Sequence, residues 1–263
     1  MNIPAKYILK FLKYKITSKH KKGHGIHSPF LYSLIREVFL QKEVSDDLKE
    51  VIRLHKAYSR SNKLIEYKPK GVKSTDKPIK ESIGSIIKKS SVNVKYGQLL
   101  FNLVKHFNPQ NMLELGTSVG ISTAYMAQGN EHSKFISIEG VPEKINIAKE
   151  IYDKLKHKNI HFLCDDFNTV LQNVIESFEK IDLVYFDGNH KKESTINYFE
   201  TCLQKIHNES IFVFDDIYWS DEMAEAWNYI KNHQKVSLSV DIFRMGLIFF
   251  KKEMSKENYV IKF

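Results

Sequence analysis

Two groups of residues have the types and spacing to do chemistry. The first is Leu-Glu-Leu-Gly-Thr-Ser-Val-Gly at 113–120, where Glu114 is the only charge in an apolar run and Gly116 and Gly120 bracket a turn holding Thr117 and Ser118. A second acid, Glu139, closes the next apolar run, Phe135-Ile136-Ser137-Ile138. That is where an α/β sheet sets a carboxylate against a ribose. Two acids and two glycines so spaced suit a small cationic cofactor that carries a nucleoside. The second group is acidic: Asp187, and Asp215 with Asp216, each following a short apolar run. Strand ends in a parallel sheet converge on a ligand crevice, where three carboxylates repel one another unless a cation or protons neutralise them. A hard divalent ion with oxygen ligands is the chemical answer. His190, three residues after Asp187, is the candidate general base, with Asn189 a weaker one. Read alone, His190 is as well explained as a polar residue at the start of a helix.

The glycine turn discriminates between cofactor classes. A diphosphate-bearing dinucleotide calls for G-x-G-x-x-G, in which the middle glycine lets the phosphates reach backbone N–H groups. Here the pattern is E-x-G-x-x-x-G, without that glycine, which disfavours a nicotinamide oxidoreductase. A cofactor with no diphosphate but an ammonium-bearing amino-acid end favours the acid Glu114, and S-adenosylmethionine fits that description.

The elements that must position these residues alternate from residue 111 onward. Strands are predicted at 111–115, 134–139, 160–164, 181–186 and 210–215, and helices at 119–129, 142–156, 167–178, 190–207 and 220–232. Short apolar strands separated by helices imply a doubly wound, mostly parallel α/β sheet covered on both faces. Val236–Asp241 and Met245–Phe250 leave no room between them for a crossover helix, so an antiparallel C-terminal strand is expected.

With these residues in place the chain resembles the class I S-adenosylmethionine-dependent methyltransferases, and most closely their O-methyltransferase branch of catechol and caffeoyl-CoA enzymes and bacterial relatives. Glu114 to Thr123, Phe135 to Glu139 and Asp182 to His190 carry the resemblance, which spans roughly 91–250. It implies a seven-stranded Rossmann-like sheet with the antiparallel strand inserted beside parallel ones. It also implies that Gly116 and Gly120 pass close to the methionine part of S-adenosylmethionine, with Thr117 and Ser118 in the same turn. Glu139 would accept from both ribose hydroxyls, Asp166 would contact the adenine amine, and Glu114 would hold the amino-acid end through backbone or water. Each of these residues alone reads as readily as helix packing or a solvated strand end; their intervals within one βαβαβ unit favour the cofactor. In the related enzymes the positions of Asp187, Asp215 and Asp216 hold Mg²⁺ with Asp, Asp and Asn, so Asp216 departs from the pattern. A cation lowers the pKa of an acceptor hydroxyl, which then attacks the methyl as an oxyanion. The expectation is O-methylation of a small-molecule or lipid-like acceptor, with Asp187 and His190 catalytic. The alternatives are metal-independent transfer with His190 as base, on nitrogen as well as oxygen, and a non-catalytic cofactor-binding or membrane-associated protein. Tyr218 and Trp219 are candidates for an aromatic wall over the acceptor, and the related branch often dimerises.

The N-terminal third differs in character. The 263-residue chain has a net charge of +9, yet residues 1–90 carry 21 Lys and Arg against 8 Asp and Glu, and the first acid is Glu37. This suggests a basic helical module at 1–61, a linker and lead-in at 62–90, and the main domain at 91–263. Residues 4–17 read as a short basic helix with Ile8, Phe11, Leu12 and Ile16 near one face. Residues 4–22 could contact an anionic membrane surface, and nucleic acid ranks last among partners, for want of interleaved aromatics. His24 and His27 lack an acid or cysteine companion and read as a packed turn or a substrate-capping loop. No signal peptide or bilayer-length apolar run is seen. Only two cysteines, Cys164 and Cys202, stand in apolar contexts, so the expectation is a reduced cytoplasmic protein with buried thiols, peripheral at the inner membrane surface if the basic helix binds there.

Overall fold

The computed structural model describes residues 5–20, 22–70, 77–155 and 159–263. The expected helix start at residue 4, the end of the 142–156 helix, Lys21 and residues 71–76 of the linker lie outside them. Packing divides the chain into two units: residues 33–169, and residues 1–32 together with 170–263.

The 33–169 unit contains a parallel three-stranded arrangement, β3 (Asn111–Leu115), β4 (Lys134–Glu139) and β5 (Ile160–Cys164), in that order. Met112 lies opposite Phe135 and Ile138 opposite Leu163. β3 and β4 are apolar and buried, as all-apolar strands flanked by helices must be. Helix α6 (Ile121–Gly129) follows β3 and α7 (Pro142–Leu155) follows β4. Upstream lie α3 (Asp46–Tyr58) and α5 (Val94–Phe107), with Ser45 and Asn93 accepting the orphan amides of Leu48 and Tyr96. The expected linker holds more structure than its composition suggested: β1 (Leu64–Tyr67) and β2 (Ile79–Ser82) pair antiparallel, and α4 (Ile83–Ser90) follows. β1 is only four residues long and β2 is polar, and neither is buried along its length. Cys164 is exposed, not buried as expected, because its strand end is only partly covered; Cys202 is buried.

The other unit holds β6 (Leu183–Phe186), β7 (Ile211–Phe214), β8 (Leu238–Asp241), β9 (Gly246–Phe249) and β10 (Glu257–Val260). β6 and β7 are parallel, and β9 runs antiparallel to both β7 and β8, as the short connection required. β10 adds in parallel to β8, a strand that the sequence pattern did not predict. The core of this unit is aromatic: Phe186 stacks on Phe214 at 4.2 Å, and Phe199 meets Phe212 edge-on. Gly246 is fixed by Trp227 of α10 (Asp221–Asn232), whose ring lies 2.5 Å from where a Cβ would stand. Helices α8 (Phe167–Glu176) and α9 (Lys192–Cys202) complete the α/β alternation.

The N-terminal helix α1 (Ala5–Thr17) packs through its aromatic side chains. Tyr7, Phe11 and Tyr14 surround Phe243 at 5.0, 5.0 and 5.3 Å, while Ile8, Leu12 and Ile16 remain exposed. The Tyr14 hydroxyl donates to the Ile261 carbonyl, and Lys6 and Lys10 pair with Asp221. α2 (Pro29–Ser33) starts at Pro29 and runs into a π-helical turn at Leu34–Phe39. No helix among the described residues is long and apolar enough to cross a membrane.

Candidate functional site

In the 33–169 unit the chain leaves β3 through a turn built for this sequence. Gly116, Ser118 and Gly120 all have positive φ, at 109°, 47° and 81°, a region that only glycine enters without strain. Gly120 has a second reason to be glycine: a Cβ would stand 2.7 Å from Ala148 Cβ on α7. Its place is therefore explained by helix packing, with or without a ligand. Glu139, at the end of β4, closes the turn from the other side. Its Oε2 accepts from the Ser118 amide at 2.9 Å and its Oε1 from the Val141 amide at 3.0 Å. A carboxylate offers about four lone-pair positions, so two remain to accept from a pair of hydroxyls.

Glu114 sits deeper than an acid facing a cofactor would. It is fully buried, and its carboxylate accepts from Ser122, Thr123 and Ser137, with Thr117 hydrogen-bonded to Ser137 behind them. Burial pushes the carboxyl up to about 7, against the pull of the three hydroxyls. The side chain therefore fixes β3, β4 and the first turn of α6 against one another. Asp166 is exposed and opens α8, with Oδ1 accepting from both the backbone and side-chain N–H groups of Asn168. Its structural role is an Asx turn.

In the other unit the loops after β6 and β7 carry the acidic group. Asn189, His190 and Asp216 have positive φ, at 64°, 29° and 52°. Non-glycine residues held this way after strand ends mark backbone strain of the kind kept at functional sites. His190 Nε2 lies 3.5 Å from Asp187 Oδ1. Burial lowers the His190 pKa, the Asp215 charge opposes that shift, and Arg244 adds to it, so the site favours the uncharged imidazole. Asn189 donates to the Tyr198 hydroxyl, a structural bond.

Asp215 is fully buried and is gripped by a residue that sequence reading missed. Arg244, in the turn between β8 and β9, donates Nε to Oδ1 and Nη2 to Oδ2, both at 2.9 Å. The Asp216 amide takes a second position on Oδ1, and the Tyr185 hydroxyl a second on Oδ2. All four acceptor positions of Asp215 are thus filled. Burial works against the Arg244 charge, but the Asp215 charge and hydrogen bonds outweigh it. Asp216 lies 3.8 Å from the same guanidinium, and its carboxyl is pushed up by burial and then by the Asp215 charge. Among the described residues no group of three His, Cys, Asp or Glu is placed to hold a metal ion. So arranged, Asp187, Asp215 and Asp216 do not fit a divalent ion, because a guanidinium already provides the positive charge. The one signal available in sequence was that Arg244 is the only charge between Ile242 and Phe250. Tyr218 and Trp219 do not form a free-standing wall: the Tyr218 hydroxyl donates to Asp241 and its ring stacks on Phe243, while Trp219 meets Tyr7 edge-on.

Known proteins resemble this chain in sequence and in fold. Residues 113–217 match the family model of a methyltransferase domain. A caffeoyl-CoA O-methyltransferase-like protein of Arabidopsis thaliana is 26% identical over 219 residues, covering 82% of this chain and 87% of its own. The Podospora anserina methyltransferase PaMTH1, solved with SAH, superposes with a TM-score of 0.59 at 14% identity, covering 80% of this chain and 89% of its own. The O-methyltransferase TomG of Streptomyces achromogenes, solved with SAM, gives 0.56 at 15%, covering 84% and 95%. The fold of this chain is that Rossmann-like α/β fold, mostly parallel with one antiparallel strand and helices at the N-terminus.

Proposed function

We propose that this chain is an S-adenosylmethionine-dependent methyltransferase and that it methylates a hydroxyl oxygen with His190 as the base. The observation that carries the reading is His190 held 3.5 Å from Asp187 on a strained loop. S-adenosylmethionine, when bound, supplies an electrophilic methyl on a sulfonium. The 33–169 unit has what a ribose requires: Glu139, fixed by two backbone amides, keeps two acceptor positions for hydroxyls. Gly116, Thr117, Ser118 and Gly120 supply the turn for the methionine part, and Asp166 the contact for the adenine amine. Glu114 stiffens that turn from behind and does not touch the ligand with its carboxylate.

On the acceptor side, His190 takes the hydroxyl proton, and Asp187 stabilises the imidazolium that results. Metal-assisted transfer, the expectation from the resemblance, would require Asp215 to exchange Arg244 for an ion. Arg244 supports the metal-free reading: it keeps Asp215 neutralised as the proton moves, so the local charge that His190 meets stays small. The acceptor is a small-molecule or lipid-like alcohol or phenol.

The test is methyl transfer from radiolabelled S-adenosylmethionine to a panel of phenols and lipid alcohols, with and without chelator. Transfer to oxygen that persists in chelator and falls about 10²- to 10⁴-fold in His190→Gln is the expected result. Transfer that vanishes in chelator and returns with Mg²⁺ would restore the metal-assisted reading, and transfer to nitrogen would refute the hydroxyl acceptor. Calorimetry tests the cofactor half separately. Glu139→Ala should weaken S-adenosylmethionine binding by about 2 kcal/mol, the scale of lost charge-assisted hydrogen bonds; unchanged affinity would remove Glu139 from the ribose.

A further inference from the structure

We propose that α1 docks this protein onto anionic lipid bilayers, lying in the interface with its outward face buried among the lipids. The helix has two apolar faces and uses only one of them internally. Tyr7 and Tyr14, with the edge of Phe11, pack around Phe243, and the Lys6 and Lys10 pairs with Asp221 and the Tyr14 bond to Ile261 hold the helix down. The other face carries Ile8, Leu9, Leu12 and Ile16, which are 48%, 65%, 52% and 83% exposed. Residues 8, 12 and 16 follow one another at four-residue spacing, with Leu9 beside them, so they form one stripe. Of nine large apolar side chains exposed among the described residues, five lie on this 13-residue helix. Such concentration is not the scattered exposure of an ordinary surface.

The charges around the stripe select the occupant. Lys13 and Lys15 flank it on either side, and Lys19 and Lys22 follow it, all exposed. No acid occurs before Glu37. A cationic rim around an apolar stripe complements an anionic headgroup layer over acyl chains. A second copy of the chain fits less well, because a two-fold contact through this face would bring like-charged lysine rims together. Nucleic acid would use the lysines and leave the apolar stripe in water. A helix of 13 residues is too short to span a bilayer and lies along its surface. The inference does not depend on the methyl-transfer reading.

Co-sedimentation of the full chain with vesicles tests it. The protein should pellet with phosphatidylcholine vesicles containing about one-third phosphatidylglycerol and stay in solution with phosphatidylcholine alone. High salt should weaken the binding. The Leu12→Ser/Ile16→Ser variant, changed only at exposed positions, should keep its melting temperature and lose at least about tenfold in vesicle affinity. Lys13→Glu/Lys15→Glu should abolish the preference for anionic lipid. Failure of the wild type to pellet with anionic vesicles, or equal binding by Leu12→Ser/Ile16→Ser, would overturn the proposal. So would a dimer in sedimentation velocity that this pair dissolves while vesicles are ignored, since the face would then belong to a second copy.

Discussion

Arg244 sets the chemistry of the acidic cluster one side chain at a time. Removing it leaves Asp215 buried with a charge and half its partners gone, so Arg244→Met should destabilise the fold by about 3–5 kcal/mol, the penalty for breaking a buried ion pair. Mg²⁺ should recover part of that loss in the variant and leave the melting temperature of the wild type unchanged; a wild type that Mg²⁺ stabilises would show that an ion does compete for the site. Glu114 makes a second prediction at this scale. Its carboxyl rises from 4.5 to about 7 on folding, so between those values the folded state holds more protons than the unfolded one. The buried carboxylate therefore costs nothing below the lower value and most above the upper, on the order of 3 kcal/mol across the window. Wild type should lose stability relative to Glu114→Gln as pH rises from about 5 to about 7. Urea midpoints of the two proteins measure this, and parallel curves would mean that the carboxyl titrates as if unburied.

At the scale of elements, the contact between the glycine turn and α7 leaves no spare volume. Gly120→Ala meets Ala148 at 2.7 Å and a φ of 81°, so it should cost about 1–3 kcal/mol from overpacking and comparable strain from the backbone. Adding Ala148→Gly should return the packing share alone. A chemical-denaturation cycle separates the two, and additive changes would mean that the residues do not touch. The elements themselves were largely legible in the sequence. β3, β4, β6 and β7 are nearly pure apolar runs, and a parallel buried strand has no other pattern to show. The hairpin of β8 and β9 followed from the short connection between them. What escaped was polar or edge-like: β10, Glu-Asn-Tyr-Val, pairs along one side only and needs no apolar signature, and β1 and β2 lie in a lysine-rich stretch. The glycine turn and Glu139 could be placed by spacing. The ion pair of Asp215 with Arg244 could not, because it joins residues 29 apart that the hairpin alone brings together. The packing of Tyr7 and Tyr14 on Phe243 was not legible either, because it joins residues more than 200 apart in the chain.

At the scale of the whole molecule, both ends of the chain belong to one packing unit. Lys19 bridges to Ile261, and the Tyr14 hydroxyl donates to the Ile261 carbonyl and accepts from the Phe263 amide. A chain ending at Ser255 loses β10 and both partners of Tyr14. Its first 20 residues should then become sensitive to trypsin while a resistant remainder persists; an equally resistant N-terminus would show that Phe243 alone holds α1. The same unit concentrates two duties in the turn Ile242–Met245. Phe243 is the post against which α1 leans, and Arg244, the next residue, neutralises Asp215. For protein engineering this makes the hairpin tip, ordinarily the most forgiving place for a tag or an inserted loop, a turn to leave untouched. A few added residues there would loosen the N-terminal helix and unmask a buried anion in a single event.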